Sequence, residues 1–125
     1  MVKFYRCNTC GNIITKLIDS GVPVSCCGEA MEELKPGSVD AALEKHVPYV
    51  TVEGADVNVQ VGEVAHPMLE EHHIAFVVLE TTSGCQVKQL NAGDEPVAHF
   101  TLAKGDKAVA VYEYCNLHGL WVKEM

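Results

Sequence analysis

The stretch VSCCGEAM, residues 24–31, sets Cys26 directly beside Cys27. A disulfide between neighbours is strained, because consecutive α-carbons sit about 3.8 Å apart while an unstrained bridge spans roughly 4.4–6.8 Å. A shared metal ion asks less of the pair. Two further thiols lie upstream in YRCNTCGN, where Cys7 and Cys10 have Cys-x-x-Cys spacing and fifteen residues separate Cys10 from Cys26. Two thiolate pairs joined by a hairpin-length insert suit a tetrahedral sulfur site that zinc or iron can fill. With no spacer between Cys26 and Cys27, the sulfur–metal–sulfur angle on that side departs from the tetrahedral ideal. Zinc tolerates such distortion, whereas iron registers it in its redox and spectroscopic properties. The spacing leaves both metals open.

A second set of ligand-type residues is scattered through EKHVP, VAHPM, EEHHI and YCNLHGLW: His46, His66, His72, Cys115 and His118. Taken singly, each histidine reads as a surface or hydrogen-bonded residue. Cys115 and His118 are the firmest pair, since a two-residue spacer lets a thiolate and an imidazole converge across a tight turn. A nucleophilic Cys-His dyad competes with that reading, although nothing beside Cys115 resembles a nucleophile signature. If all five groups converge, structural zinc fits poorly because it is four-coordinate. Imidazole plus thiolate around a metal with one remaining position points to iron.

The elements that must hold these residues can be sketched from pattern. With 125 residues, 48% hydrophobic and 21% charged, the chain is long enough for a small stapled module followed by a domain of about 90 residues. Residues 1–36 read as strand KFYRC, a cysteine turn, strand IITKLI, a Gly-Val-Pro turn and the second cysteine turn, too little chain to cohere without a staple. The Pro36-Gly37 break then separates a second domain, 37–125, in which Ser38 is expected to cap one short helical turn through VDAALEK.

Seven β-like runs follow: VPYVTVE, VNVQVGEVA, IAFVVLE, CQVKQL, PVAHFTL, AVAVYEY and GLWVKE, divided by turn signals such as EGAD, TTSG, NAGDEP and AKGDK. Alternating valines and turns every 8–12 residues or so imply a mainly β chain ending in an immunoglobulin-like antiparallel β-sandwich. The net charge of −8 disfavours nucleic acid and anionic membrane as partners. No apolar run has the length of a signal peptide or a membrane span, so a cytoplasmic location is expected, where clustered cysteines read as metal ligands or redox thiols.

Taken in order, CNTC with SCCGEAM, then EKHVP, HPMLEEH and CNLHGLW resemble desulfoferrodoxin, the two-iron form of superoxide reductase, over essentially the whole chain. The resemblance implies a desulforedoxin/rubredoxin-like domain over 1–36 whose Cys7, Cys10, Cys26 and Cys27 form a distorted Fe(Cys)4 centre. It implies an immunoglobulin-like catalytic domain over 37–125, with His46, His66, His72 and His118 as equatorial ligands of a second non-haem iron and Cys115 as its axial thiolate. Glu44 and Lys45 match the residues beside the sixth position. The spacing from HPM selects His72 and leaves its neighbour His73 to pack or face solvent. Cys85 and His99 match no ligand position and read as structural.

The implied reaction is one-electron reduction of superoxide to hydrogen peroxide with uptake of two protons. Ferrous iron with four neutral imidazoles and one thiolate carries net charge +1, which attracts a small anion even in an acidic protein, and Lys45 adds to that field. A water held by Lys45 is the expected proton path. The sequence carries no flavin or nicotinamide fingerprint, so an outside electron donor is required. The resemblance implies rubredoxin as that donor and a homodimer as the assembly. Two rival readings are a structural zinc knuckle on a partner-binding β-sandwich, and an electron-transfer protein whose iron never binds substrate.

Overall fold

The computed structural model describes residues 1–39 and 41–125, and the chain divides into two compact units, Met1–Lys35 and Pro36–Met125. The first unit is made of two-residue strands: β1 (Tyr5–Arg6), β2 (Ile13–Ile14), β3 (Ser25–Cys26), β4 (Glu29–Ala30) and β5 (Glu32–Glu33). Antiparallel β2 and β5 flank β1, and β3 pairs with β4 in a hairpin of its own. The expected strand IITKLI survives only in its first two residues. Beyond them the Thr15 hydroxyl donates to the Lys3 carbonyl at 2.7 Å, and the Lys16 ammonium donates to the Asp19 carboxylate and the Val22 carbonyl. The local side-chain bonds replace a ladder and leave Leu17 and Ile18 exposed.

The second unit begins with a one-turn helix, α1 (Leu43–His46), and continues through β6 (Pro48–Glu53), β7 (Asp56–Val61), β8 (Ile74–Thr81), β9 (Cys85–Gln89), β10 (Val97–Thr101), β11 (Ala108–Cys115) and β12 (Gly119–Glu124). These seven strands fall on the seven runs expected from the alternation. The helix starts later than VDAALEK suggests: its N-cap is Ala42, with no side-chain cap, and Asp40 lies outside the described residues. The run VNVQVGEVA is likewise cut short at Val61, because Gly62 takes φ +83° and turns the chain.

The strands form two antiparallel sheets, β10-β7-β6 and β12-β11-β8-β9, the layers of an immunoglobulin-like sandwich. β9 pairs with β8 because only Thr82, Ser83 and Gly84 join them, closed by the Thr81 amide donating to the Gly84 carbonyl at 2.8 Å. The interior follows from the period of two. Val57, Val59 and Val61 of β7 and Ala98 and Phe100 of β10 meet Val77 and Leu79 of β8 and Val111 and Cys115 of β11. The same parity carries Cys115 to the end of β11 on the core side, and α1 delivers His46 as a buried residue. Among the described residues no helix is long and apolar enough to cross a membrane.

Candidate metal centres

In the first unit the sulfur atoms of Cys7, Cys10, Cys26 and Cys27 all lie within 4.8 Å of one another. Cys10 Sγ and Cys26 Sγ are 3.6 Å apart, and Cys26 Sγ and Cys27 Sγ 4.0 Å. A tetrahedron with metal–sulfur bonds of about 2.3 Å has edges near 3.8 Å, so the spacing suits one ion. The adjacent pair works because it sits in a turn. Neighbouring side chains of an extended strand point to opposite faces. Here Cys27 and Gly28 take φ +53° and +80° between the paired residues Cys26 and Glu29, a two-residue hairpin loop that turns both thiols to one side. Cys27 is the one non-glycine with positive φ among the described residues, a local strain placed at the candidate site.

Ionisation of all four thiols together requires a cation. Backbone N–H groups of Cys10 and Thr9 bring the Cys7 thiol down to about 6, while Cys10 and Cys7 push Cys27 up to about 12 and also raise Cys26. Neighbouring thiolates oppose one another's ionisation, and a bound metal removes the opposition. Cys10 N donates toward Cys7 Sγ at 3.4 Å, and Asn12 Nδ2 toward Cys26 Sγ at 3.7 Å. Such donors help hold thiolate sulfur.

The second group gathers His46 from α1, His66 and His72 from the segment between β7 and β8, and Cys115 and His118 from the β11–β12 turn, with one donor atom of each inside a 4.8 Å span. His46 Nδ1 lies 2.8 Å from the Ala42 carbonyl and His66 Nδ1 2.6 Å from the Pro67 carbonyl. A carbonyl only accepts, so in each ring the hydrogen is on Nδ1 and the neutral Nε2 is bare. Those two bare nitrogens face each other at 3.2 Å, and His46 Nε2 lies 3.0 Å from His118 Nδ1. His72 Nε2 is buried with no hydrogen-bond partner among the described residues. The facing bare nitrogens of His46 and His66, with the unpartnered Nε2 of His72 beside them, are the arrangement of metal ligands. Burial keeps the rings neutral, lowering His66 to about 4 and lowering His46 and His72 as well.

Cys115 Sγ lies 3.8 Å from His118 Nδ1. Burial raises the Cys115 thiol, and the backbone N–H groups of Leu117 and His118 oppose that rise. The donor set of four imidazoles and one thiolate fits iron.

His73 stands outside the group: its Nδ1 donates to the Leu69 and Glu70 carbonyls. Cys85 and His99 are also outside it, and neither is packed, for Cys85 is exposed and the exposed His99 lies 3.3 Å from Asp56. Glu44 and Lys45 are exposed on α1, beside buried His46, and the positive charge of Lys45 is among the influences lowering His46 and His72. A depression of about 590 Å³ beside α1 is lined by Leu43, Glu44, Pro48, Tyr49, Glu63 and Lys123, none of them in the group.

Two site residues escape a reading by motif. Trp121 stacks on His46 with ring centroids 5.2 Å apart and donates to the His118 carbonyl at 3.0 Å. Glu113 is fully buried with both carboxyl oxygens unpartnered among the described residues, and burial pushes it up to about 9. Its position two residues before Cys115 on the core-facing parity of β11 is the signal that exposes it. Gly62 is a third constraint. A Cβ there would stand 2.5 Å from the carbonyl oxygens of both Lys45 and Val64, at φ +83°. Gly62→Ala is therefore expected to lower stability by about 2 kcal/mol or more and to weaken metal retention through displaced His46 and His66. A urea midpoint and the iron content of the second group check it.

A family model described as Desulfoferrodoxin matches residues 38–124. The desulfoferrodoxin of Nitratidesulfovibrio vulgaris is 45% identical over 122 residues, covering 98% of this chain and 95% of that one. That of Syntrophotalea carbinolica is 42% identical over 123 residues, covering 98% and 96%. Among solved structures, the superoxide reductase from Treponema pallidum is similar with a TM-score of 0.84 and 40% identity, over 99% of both chains.

Proposed function

The chain belongs to the desulfoferrodoxin family, and from that premise we propose that it is a superoxide reductase carrying two non-haem irons. The observation that carries the proposal is the set of four imidazoles and one buried thiol whose donor atoms share a 4.8 Å span. His46, His66, His72, His118 and Cys115 hold the catalytic iron, and Cys7, Cys10, Cys26 and Cys27 hold the other. Residues 1–36 are then the desulforedoxin-like domain and 37–125 the catalytic domain.

Ferrous iron, when bound, supplies the single electron that superoxide takes up on its way to hydrogen peroxide. The protein's residues do the rest. The depressed imidazoles of His46 and His66 stay neutral and open to a metal, and a ferrous ion held there with one thiolate would leave a net positive charge to draw an anion into a chain of net charge −8. Lys45 strengthens that field and, being exposed, exchanges protons with solvent within reach of the substrate. Glu44, its neighbour on α1, is the carboxylate that by the family resemblance would occupy the site between turnovers. An external protein, rubredoxin by the family resemblance, returns the electron. A homodimer in the reducing cytoplasm, where none of the six cysteines is paired in a disulfide, completes the reading.

Anaerobic reconstitution followed by elemental analysis tests the metal assignment: about two irons per chain are expected. Zinc in the cysteine group with the histidine group empty would overturn it. Lys45→Ala is expected to slow the second-order reaction with superoxide about tenfold at low ionic strength, with both irons retained and the gap closing as salt is added. An unchanged low-salt rate would remove the steering role.

A further inference from the structure

The β11 ladder runs out where the metal group begins. Cys115 pairs with Ile74 across β8, with a register shift after Tyr114. Beyond it Asn116 is exposed and offers no atom to the group. Its carboxamide nonetheless reaches across to the segment that carries His72. Asn116 Nδ2 donates to the Glu71 carbonyl at 3.1 Å, and Asn116 Oδ1 accepts from the His73 backbone N–H at 2.9 Å. The Asn116 backbone N–H also donates to the His73 carbonyl at 3.2 Å.

The side chain bonds the residues on either side of His72, with a donor to the one before and an acceptor to the one after, as a parallel β-bridge would. The amide orientation is fixed by these partners, since the reverse would set oxygen against the Glu71 carbonyl and NH2 against the His73 N–H. On its other edge His72 exchanges both backbone hydrogen bonds with Leu69, at 2.8 and 3.1 Å. The His72 ring meets those of His66 and His118 edge-on, with centroids 4.7 and 5.1 Å away. The His72 ring makes no hydrogen bond among the described residues, whereas His46 and His66 are each aimed by an Nδ1–H bond to a carbonyl.

We infer that Asn116 is a positioning residue: its carboxamide substitutes for the missing ring bond of His72, locking the His72 segment to the Cys115–His118 turn. The inference rests on the iron-site reading above. It places the aim of one imidazole under the control of a side chain between Cys115 and His118, so the two halves of the group move as one body.

The test uses full-length protein loaded with iron under anaerobic conditions, followed by iron release to an external chelator and by absorption of the oxidised histidine–cysteine centre. Wild-type protein must first hold iron in that centre; failure there sinks the iron-site reading itself. Asn116→Ala is expected to release iron from that centre 10–100-fold faster and to shift its absorption, while the four-cysteine iron leaves at the wild-type rate. Asn116→Asp keeps the acceptor for the His73 N–H but loses the donor to Glu71, and should fall between. His73→Ala keeps its backbone N–H and should stay within about threefold of wild type. Wild-type release and absorption in Asn116→Ala would overturn the inference. So would equal acceleration at both irons, which marks general loosening, and in that case Asn116→Asp matching alanine would agree.

Discussion

Cys115→Ala is expected to abolish superoxide reduction, with a loss of at least about 100-fold, while the iron at Cys7, Cys10, Cys26 and Cys27 stays in place. Removal of outer hydrogen-bonding partners alone costs metal centres about 10–100-fold in affinity or activity, and Cys115 is a direct donor in the proposed iron site. It is also the one anionic donor in the second group. Its thiol is buried and raised, so it ionises at neutral pH only against a cation. Once ionised it would push electron density toward a bound iron, as thiolates do in cysteine-ligated haem. Anaerobic protein carrying Cys115→Ala, assayed for iron, for absorption of the oxidised centre and for superoxide consumption, checks this. A rate within threefold of wild type would mean that the four imidazoles suffice.

The second large effect is on stability. Glu113 ionises near 9 in the folded chain against an ordinary 4.5, because burial penalises its charge. Folded protein therefore keeps a proton that the unfolded chain has released. Stability attributable to this group is greatest below its ordinary value and falls as pH rises toward the folded value, by about 1.4 kcal/mol per pH unit. His66, His46 and His72 shift the other way, and their contribution rises with pH up to their ordinary 6.5. Glu113→Gln isolates the carboxyl, because the histidines contribute equally to both proteins. The stability advantage of the glutamine form, from urea unfolding of metal-free protein, should grow by about 4 kcal/mol between pH 5 and 8. A constant difference would show that Glu113 finds a partner or water in solution.

Much of this architecture was legible because it is written in local pattern. Val57, Val59 and Val61 alternate with polar residues, so β7 announced both its period and its inner face; the Asn91–Pro96 and Ala103–Lys107 turn signals separated its neighbours. The cysteines of the first unit were legible as a group because four thiols in 21 positions admit few other roles in so small a module. Strands of two residues, such as β3 and β4, have no period to read. The hairpin that explains Cys26 and Cys27 depended on Cys27 accepting a positive φ, which composition does not favour. Convergence of His46 with His118, 72 positions apart, is a product of the sandwich and not of spacing, and only the resemblance supplied it beforehand. Glu113 reads as a solvent-facing residue of VYEYC until the parity of Val111 and Cys115 shows it facing inward.

The most direct measurement is product stoichiometry: anaerobically reduced protein mixed with superoxide, with hydrogen peroxide and dioxygen counted together. The account predicts one hydrogen peroxide per superoxide consumed and no dioxygen. Peroxide and dioxygen in equal amounts, the signature of dismutation, or superoxide left unconsumed, would contradict it.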